Sequence, residues 1–156
     1  MSSRPDLSAI FDEHVAHEFV AKDVAATVAT LSADPFVNHV VNHVPTMMGG
    51  VGADGVADFY GNYFIGPWPS DATITPVCRT VGTGRVVDEM ILSVTHNVQM
   101  PTFLPDVAPT GRAVMLPVVV VLGFEGVTGA AQAQKVLDKD LPANTLLNAD
   151  QKRPPA

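Results

Sequence analysis

Gly82 to Asn97 reads GTGRVVDEMILSVTHN, and the fold is decided by how this stretch is read. From Arg85 to Asn97 there are thirteen residues without Pro or Gly, five of them β-branched. That suits a strand of ~10 residues, longer than the usual five or six. A Gly82-Thr83-Gly84 turn opens it. Alternation puts Val86, Asp88, Met90, Leu92, Val94 and His96 on one face, and Val87, Glu89, Ile91, Ser93, Thr95 and Asn97 on the other. The first face is apolar except for one carboxylate and one imidazole, which is how a pocket wall reads. On spacing alone the plainer reading sets Asp88 at a sheet edge and His96 at a strand end, both in water.

Ala72–Val81 reads as the strand before the Gly82 turn. Gln99–Pro109 reads as a loop, and Pro109-Thr110-Gly111-Arg112 turns the chain into a strand over Ala113–Phe124. Upstream, Asp6 or Ser8 caps a first helix whose apolar stripe is Phe11, Val15 and Phe19, with Ile10, His14 and His17 beside it. Asp23 caps a second helix, which Pro35 ends. Phe36–Val44 reads as a strand carrying a tandem repeat, Val-Asn-His-Val twice, so that His39 and His43 share a face. Gly49-Gly50-Val51-Gly52 reads as a turn. Asp54 caps a third helix with Val56, Phe59, Tyr60 and Tyr63 on one side. Thr128 caps a short helix through about Lys139. Helices first and antiparallel strands after is an α+β arrangement, with helices on one face of a curved sheet. The length of 156 residues suits one domain, taken as 1–147, followed by a disordered tail over 148–156.

Composition narrows function. Apolar residues make up 47% and charged ones 16%, a globular profile. The net charge of −7 argues against nucleic acid or an anionic membrane surface as partner. The longest apolar run is far too short to span a bilayer, and the N-terminus turns polar before reaching signal-peptide length, so a cytoplasmic protein is expected. The single cysteine, Cys78, makes an internal disulfide impossible and lacks a nucleophile-elbow context. His14, His17 and Glu18 have spacing that can hold a metal on one helix face. Exposed helix histidines are the preferred reading, and no metal is expected.

Certain residues carry a resemblance. They are Asn42-His43-Val44-Pro45 with the glycines after it, Gly61-Asn62-Tyr63-Phe64 through Trp68-Pro69-Ser70-Asp71, and Val81-Gly82-Thr83-Gly84-Arg85-Val86-Val87 running into Thr95-His96. Pro109-Thr110-Gly111-Arg112 before a hydrophobic strand completes the set. In this order, over roughly 7–126, the chain resembles the SnoaL-like polyketide cyclases of the nuclear-transport-factor-2-like superfamily. The resemblance implies a cone of helices closed on a curved sheet, a ligand pocket inside it, and a homodimer. It also implies a cofactor-free enzyme moving protons on a small hydrophobic carbonyl or polyketide-like substrate, of cyclase, isomerase or hydratase type. Other members of the superfamily only bind small molecules.

The family's pocket histidines map onto His96 and onto His39 or His43. His96, Asp88 and His43 are therefore the candidate catalytic residues, and His39, Tyr60, Phe64, Trp68, Glu89 and Met90 the candidate substrate-binding ones. A carboxylate in an apolar cavity becomes a better base, which is the case for Asp88 or Glu89. One departure from the family is large. Its members continue after Phe124-Glu125-Gly126 with a further strand that carries an acid/base carboxylate, whereas here Gly126 passes to Val127-Thr128-Gly129. The expectation is a sheet ending at an open edge along Ala113–Phe124, with reduced stability and a pocket open on one side. A non-catalytic binding cone, or an inactive shortened variant, is the alternative function.

Overall fold

The computed structural model describes residues 6–40, 47–124 and 133–139. Asp6 caps α1 (Leu7–Val15), its carboxylate accepting from the N–H groups of Ser8 and Ala9. The helix runs on as a wider π-helical segment, Ala16–Ala21, and stops at Lys22 in the left-handed conformation. Asp23 then caps α2 (Val24–Ala29), as its sequence position predicts.

β1 (Phe36–Val40) buries Val37 and His39 on one face. Of the glycines expected to form a turn, Gly49 and Gly50 are instead part of a strand and Gly52 opens the next helix. β2 (Met47–Val51) pairs antiparallel with β1, opposing His39 to Met48 and Val37 to Gly50. Glycine is needed here for close approach. A Cβ on Gly49 would meet the Val37 carbonyl, and one on Gly50 the Gly55 carbonyl, so bare backbone lets the next helix sit directly on the strand. That helix, α3 (Gly52–Phe59), starts after Val51, so Asp54 lies in its first turn and is not its cap. It continues π-helically over Tyr60–Phe64.

β3 (Thr73–Val81), β4 (Arg85–Thr95) and β5 (Ala113–Phe124) form an antiparallel meander. Alternation along β4 is as its sequence predicts: Val86, Asp88, Met90, Leu92, Val94 and, just beyond, His96 are all buried. They share the inner face with Val118, Val120 and Leu122 of β5, and with the aromatic side of α1 and α3. Each fully buried aliphatic side chain here contributes about 1.5–3 kcal/mol.

The expected open edge along β5 is corrected by the fold. β6 (Ala133–Lys139) pairs antiparallel with β5 and meets β1 in parallel at Val37 and Val136, giving the order β2-β1-β6-β5-β4-β3. The Ala-rich segment had read as a helix by local propensity. Ladder pairing on both sides wins, because strand formation depends on neighbours more than on composition. With β5 covered, the predicted loss of stability through that edge loses its premise. The sheet edges among the described residues are β2 and β3. Residues 41–46, with His43, and the expected tail over 148–156 lie outside the described residues.

Candidate functional site

His96 directly follows β4, and the Pro-Thr-Gly-Arg turn closes around it. Its backbone N–H donates to the Arg112 carbonyl (2.9 Å), and its carbonyl accepts from Thr110 (3.0 Å) and Gly111 (2.8 Å). Gly111 has φ +66°, the left-handed turn conformation that favours glycine. The side chain is 1% exposed, with Nδ1 3.3 Å from Thr110 Oγ1. Among the described residues Nε2 is buried without a hydrogen-bond partner. Asp71 accepts from the neighbouring Thr95 N–H and fixes this strand end. The two short motifs, Thr-His and Pro-Thr-Gly-Arg, are thus two halves of one structure.

His39 is fully buried in an aromatic box, its ring 5.9 Å from Phe59, 5.7 Å from Phe64 and 5.3 Å from Phe103. Nε2–H donates to the Thr102 carbonyl at 2.9 Å, which fixes the tautomer. Burial lowers the pKa from 6.5 to about 4 and outweighs the opposing hydrogen bond to Thr102, so the ring is neutral near pH 7. Trp68 packs edge-on to Phe19 (4.9 Å) and Phe64 (5.6 Å) and against Phe103 (5.1 Å). Tyr60 and Phe64 join this cluster, and Met90 is buried in the same core.

Asp88 does not stand alone in an apolar cavity. Arg79, opposite it on β3, reaches Asp88 Oδ1 through Nε at 2.6 Å and Asp12 of α1 through Nη1 at 2.8 Å, with its guanidinium 4.6 Å from the centre of the Phe11 ring. The Asp88 carboxylate, and secondarily Asp12, raise the arginine pKa, so the cation is permanent. The expectation of an isolated basic carboxylate is therefore replaced by a clamp tying α1 to β3 and β4. Glu89 is also corrected: alternation turns it to the opposite face, where it is exposed.

Sequence reasoning missed a second buried polar centre. His14 (1% exposed) and Glu18 (4%) face inward, against the expectation of exposed helix histidines. Thr30 gives its hydroxyl proton to the Thr27 carbonyl, so it accepts from His14 Nδ1–H at 2.6 Å. Nε2 then lies 3.1 Å from Glu18 Oε1 and 3.4 Å from the Tyr60 hydroxyl. The contact to Oε1 is poorly aligned for a hydrogen bond, so the two groups are close neighbours without a bond between them. Among the described residues no group of three His, Cys, Asp or Glu side chains is arranged to hold a metal ion. No described helix is long and apolar enough to cross a membrane.

No protein-family model matches the chain, and no curated protein matches it. Solved structures do. An NTF2-like protein of unknown function from Burkholderia pseudomallei superposes with a TM-score of 0.61 at 19% identity, covering 90% of this chain and 94% of that one. The Δ5-3-ketosteroid isomerase from Mycobacterium sp. gives 0.57 at 14%, covering 85% and 90%. A protein of ketosteroid isomerase-like fold from Catenulispora acidiphila, solved in complex with trimethylamine, gives 0.56 at 14%, covering 87% and 85%. The fold is therefore NTF2-like, of the α+β kind also found in ketosteroid isomerases.

Proposed function

We propose that the chain is a SnoaL-like, cofactor-free acid/base enzyme acting on a small hydrophobic carbonyl compound, with His96 as the group that moves the proton. The observation that carries this is the buried Nε2 of His96, which has no hydrogen-bond partner among the described residues, at the end of an apolar strand face. Thr110 Oγ1 already accepts from the Arg112 N–H and has a second lone pair for His96 Nδ1–H. In that tautomer Nε2 carries the lone pair. It takes the proton α to the carbonyl, the C–H electron pair moves into the enolate, and the imidazolium returns the proton to another carbon or to oxygen. No net oxidation occurs. A water-excluded site strengthens each of these electrostatic interactions.

Asp88 enters as a support and not as the base, since Arg79 occupies it. His39 lines the site as a neutral ring, with Tyr60, Phe64, Trp68 and Met90. His43 remains the second histidine that the resemblance offers. The pairing of Asp88 also favours a second reading, a ligand-binding cone without chemistry. The NTF2-like protein that holds trimethylamine supports small-molecule binding on this fold.

Exchange of the α-protons of 1-tetralone in D2O, followed by NMR, separates the two. Wild-type protein is expected to catalyse exchange and His96→Gln to lose it by about 100-fold or more. Binding of tetralone with no exchange above buffer establishes the second reading.

The same proposal includes a cytoplasmic homodimer. The outer face of β5 supports it, with Met115 69% exposed and Pro117, two residues on, exposed as well. Light scattering at micromolar concentration is expected to give twice the 16.5 kDa chain mass. A species of 16.5 kDa alone would contradict it.

A further inference from the structure

The geometry points to Trp68 Nε1–H as the donor that receives the carbonyl oxygen of the ligand. This inference deepens, and rests on, the reading of His96 as the proton-moving group. Trp68 is 8% exposed, and its Nε1 is buried without a hydrogen-bond partner among the described residues. An indole nitrogen donates and cannot accept, so whatever completes it must present an acceptor. Leaving such a donor buried and unmet is costly, which makes the position informative.

The surroundings narrow that acceptor. The rings in contact with Trp68 are Phe19, Phe64 and Phe103, all apolar. Lys22 lies nearby, but its Nζ donates to the Pro69 carbonyl at 3.4 Å, and the rings themselves bring no cation to balance a permanent anion. A neutral carbonyl oxygen fits, and the N–H then strengthens its hold as negative charge grows on that oxygen in the enolate. Trp68 is tied to the histidine end of β4 by one short piece of chain. After His96 the backbone enters the turn over 100–104, where the Phe103 and Leu104 N–H groups bond the Met100 carbonyl. That turn lays Phe103 on the indole at 5.1 Å and holds His39 through the Thr102 carbonyl. A proton-accepting histidine and a donor-only indole, joined through this turn, are the two roles that enolisation requires: one removes the proton while the other takes the oxygen. The class of ligand is therefore a hydrophobic ketone or enone, with its oxygen toward Trp68 and its acidic carbon toward His96.

Trp68 is the only tryptophan, so the indole N–H signal of 15N-labelled protein belongs to it without further assignment. Titration with 1-tetralone and, separately, with tetralin, the same skeleton without oxygen, is the test. Tetralone is expected to shift the indole proton downfield and tetralin to leave it there. Trp68→Phe keeps an aromatic ring and removes the donor, and is expected to slow α-proton exchange about 100-fold while still binding tetralin. If tetralone moves the His96 ring signals and undergoes exchange but leaves the indole signal fixed, the Trp68 inference is overturned and the His96 reading stands. If the indole shifts as expected but no exchange occurs, Trp68 is a binding donor and the catalytic reading of His96 falls. No shift at either ring up to the solubility of tetralone overturns both.

Discussion

Replacing His14 with Leu is expected to cost about 3–5 kcal/mol of stability, because it strands the Glu18 carboxylate in the helix–sheet interior. Glu18 is 4% exposed, and its close partners are the His14 imidazole at 3.1 Å and, through that ring, the Tyr60 hydroxyl. A charge left there has no counter-ion among the described residues. For a chain of this length the loss corresponds to a fall in Tm of roughly 10 °C or more. Removing both partners is a different matter. His14→Leu combined with Glu18→Met fills similar space with apolar atoms and is expected to recover most of the loss, since a buried pair stabilises little relative to a hydrophobic replacement. Denaturant unfolding of the two single variants and the double variant checks this. Single variants within 1 kcal/mol of wild type, or a double variant whose loss equals the sum of the singles, would show that the two side chains are not coupled.

That pair shows where the sequence was legible and where it was not. β4 could be read because the strand period is two and its inward set is apolar on every position but Asp88 and His96. The helix was harder. Phe11, Val15 and Phe19 form an obvious stripe, yet the buried line runs through Leu7, Phe11, His14 and Glu18, with Val15 and Phe19 on its flank. Polar residues mark the centre of that face, and hydrophobicity alone cannot find a face whose centre is polar. Asp88 was placed on the inner face of β4, but no partner could be assigned to it. Arg79 is visible only once β3 and β4 are in register, and register is a long-range property. Thr102 lies in a loop with no pattern of its own, and it matters only because its carbonyl meets His39 from 63 residues away in the chain. β2 and β6 were misread for the same kind of reason. Glycines that look like a turn admit a helix at close range, and an Ala-rich run that looks helical is captured by two waiting strands.

His39 is expected to make stability fall as pH drops from about 6.5 toward 4. In the folded chain its pKa is lowered to about 4, mainly because burial disfavours the imidazolium; in the unfolded chain it returns to 6.5. Between those values the unfolded state binds a proton that the folded state refuses. Folding is then opposed by protonation, so stability rises with pH across this window and is fully present above it. The whole effect is about 3 kcal/mol, from a difference of ~2.5 units at 1.36 kcal/mol each. His39→Phe removes the titrating group and keeps a ring among Phe59, Phe64 and Phe103, at the cost of leaving the Thr102 carbonyl without its donor. It is expected to be less stable than wild type at pH 7 but to lose less on acidification. Denaturant unfolding at pH 7 and near pH 4.5 gives the comparison, with other titrating groups cancelling between the two proteins. Parallel pH profiles would place the histidine's folded-state pKa near its ordinary value. The consequence reaches the proposed site. The Thr102 carbonyl belongs to the turn that seats Phe103 on Trp68, and His39 holds it through a hydrogen bond between buried groups. The bond itself survives protonation, since Nε2–H remains a donor, but the charge would then sit among three phenyl rings. Between pH 6.5 and 4, however, the folded ring stays neutral and the loss of stability comes from protonation of the unfolded chain, so ligand binding at Trp68 is expected to persist while stability falls and to weaken only as the pH approaches 4.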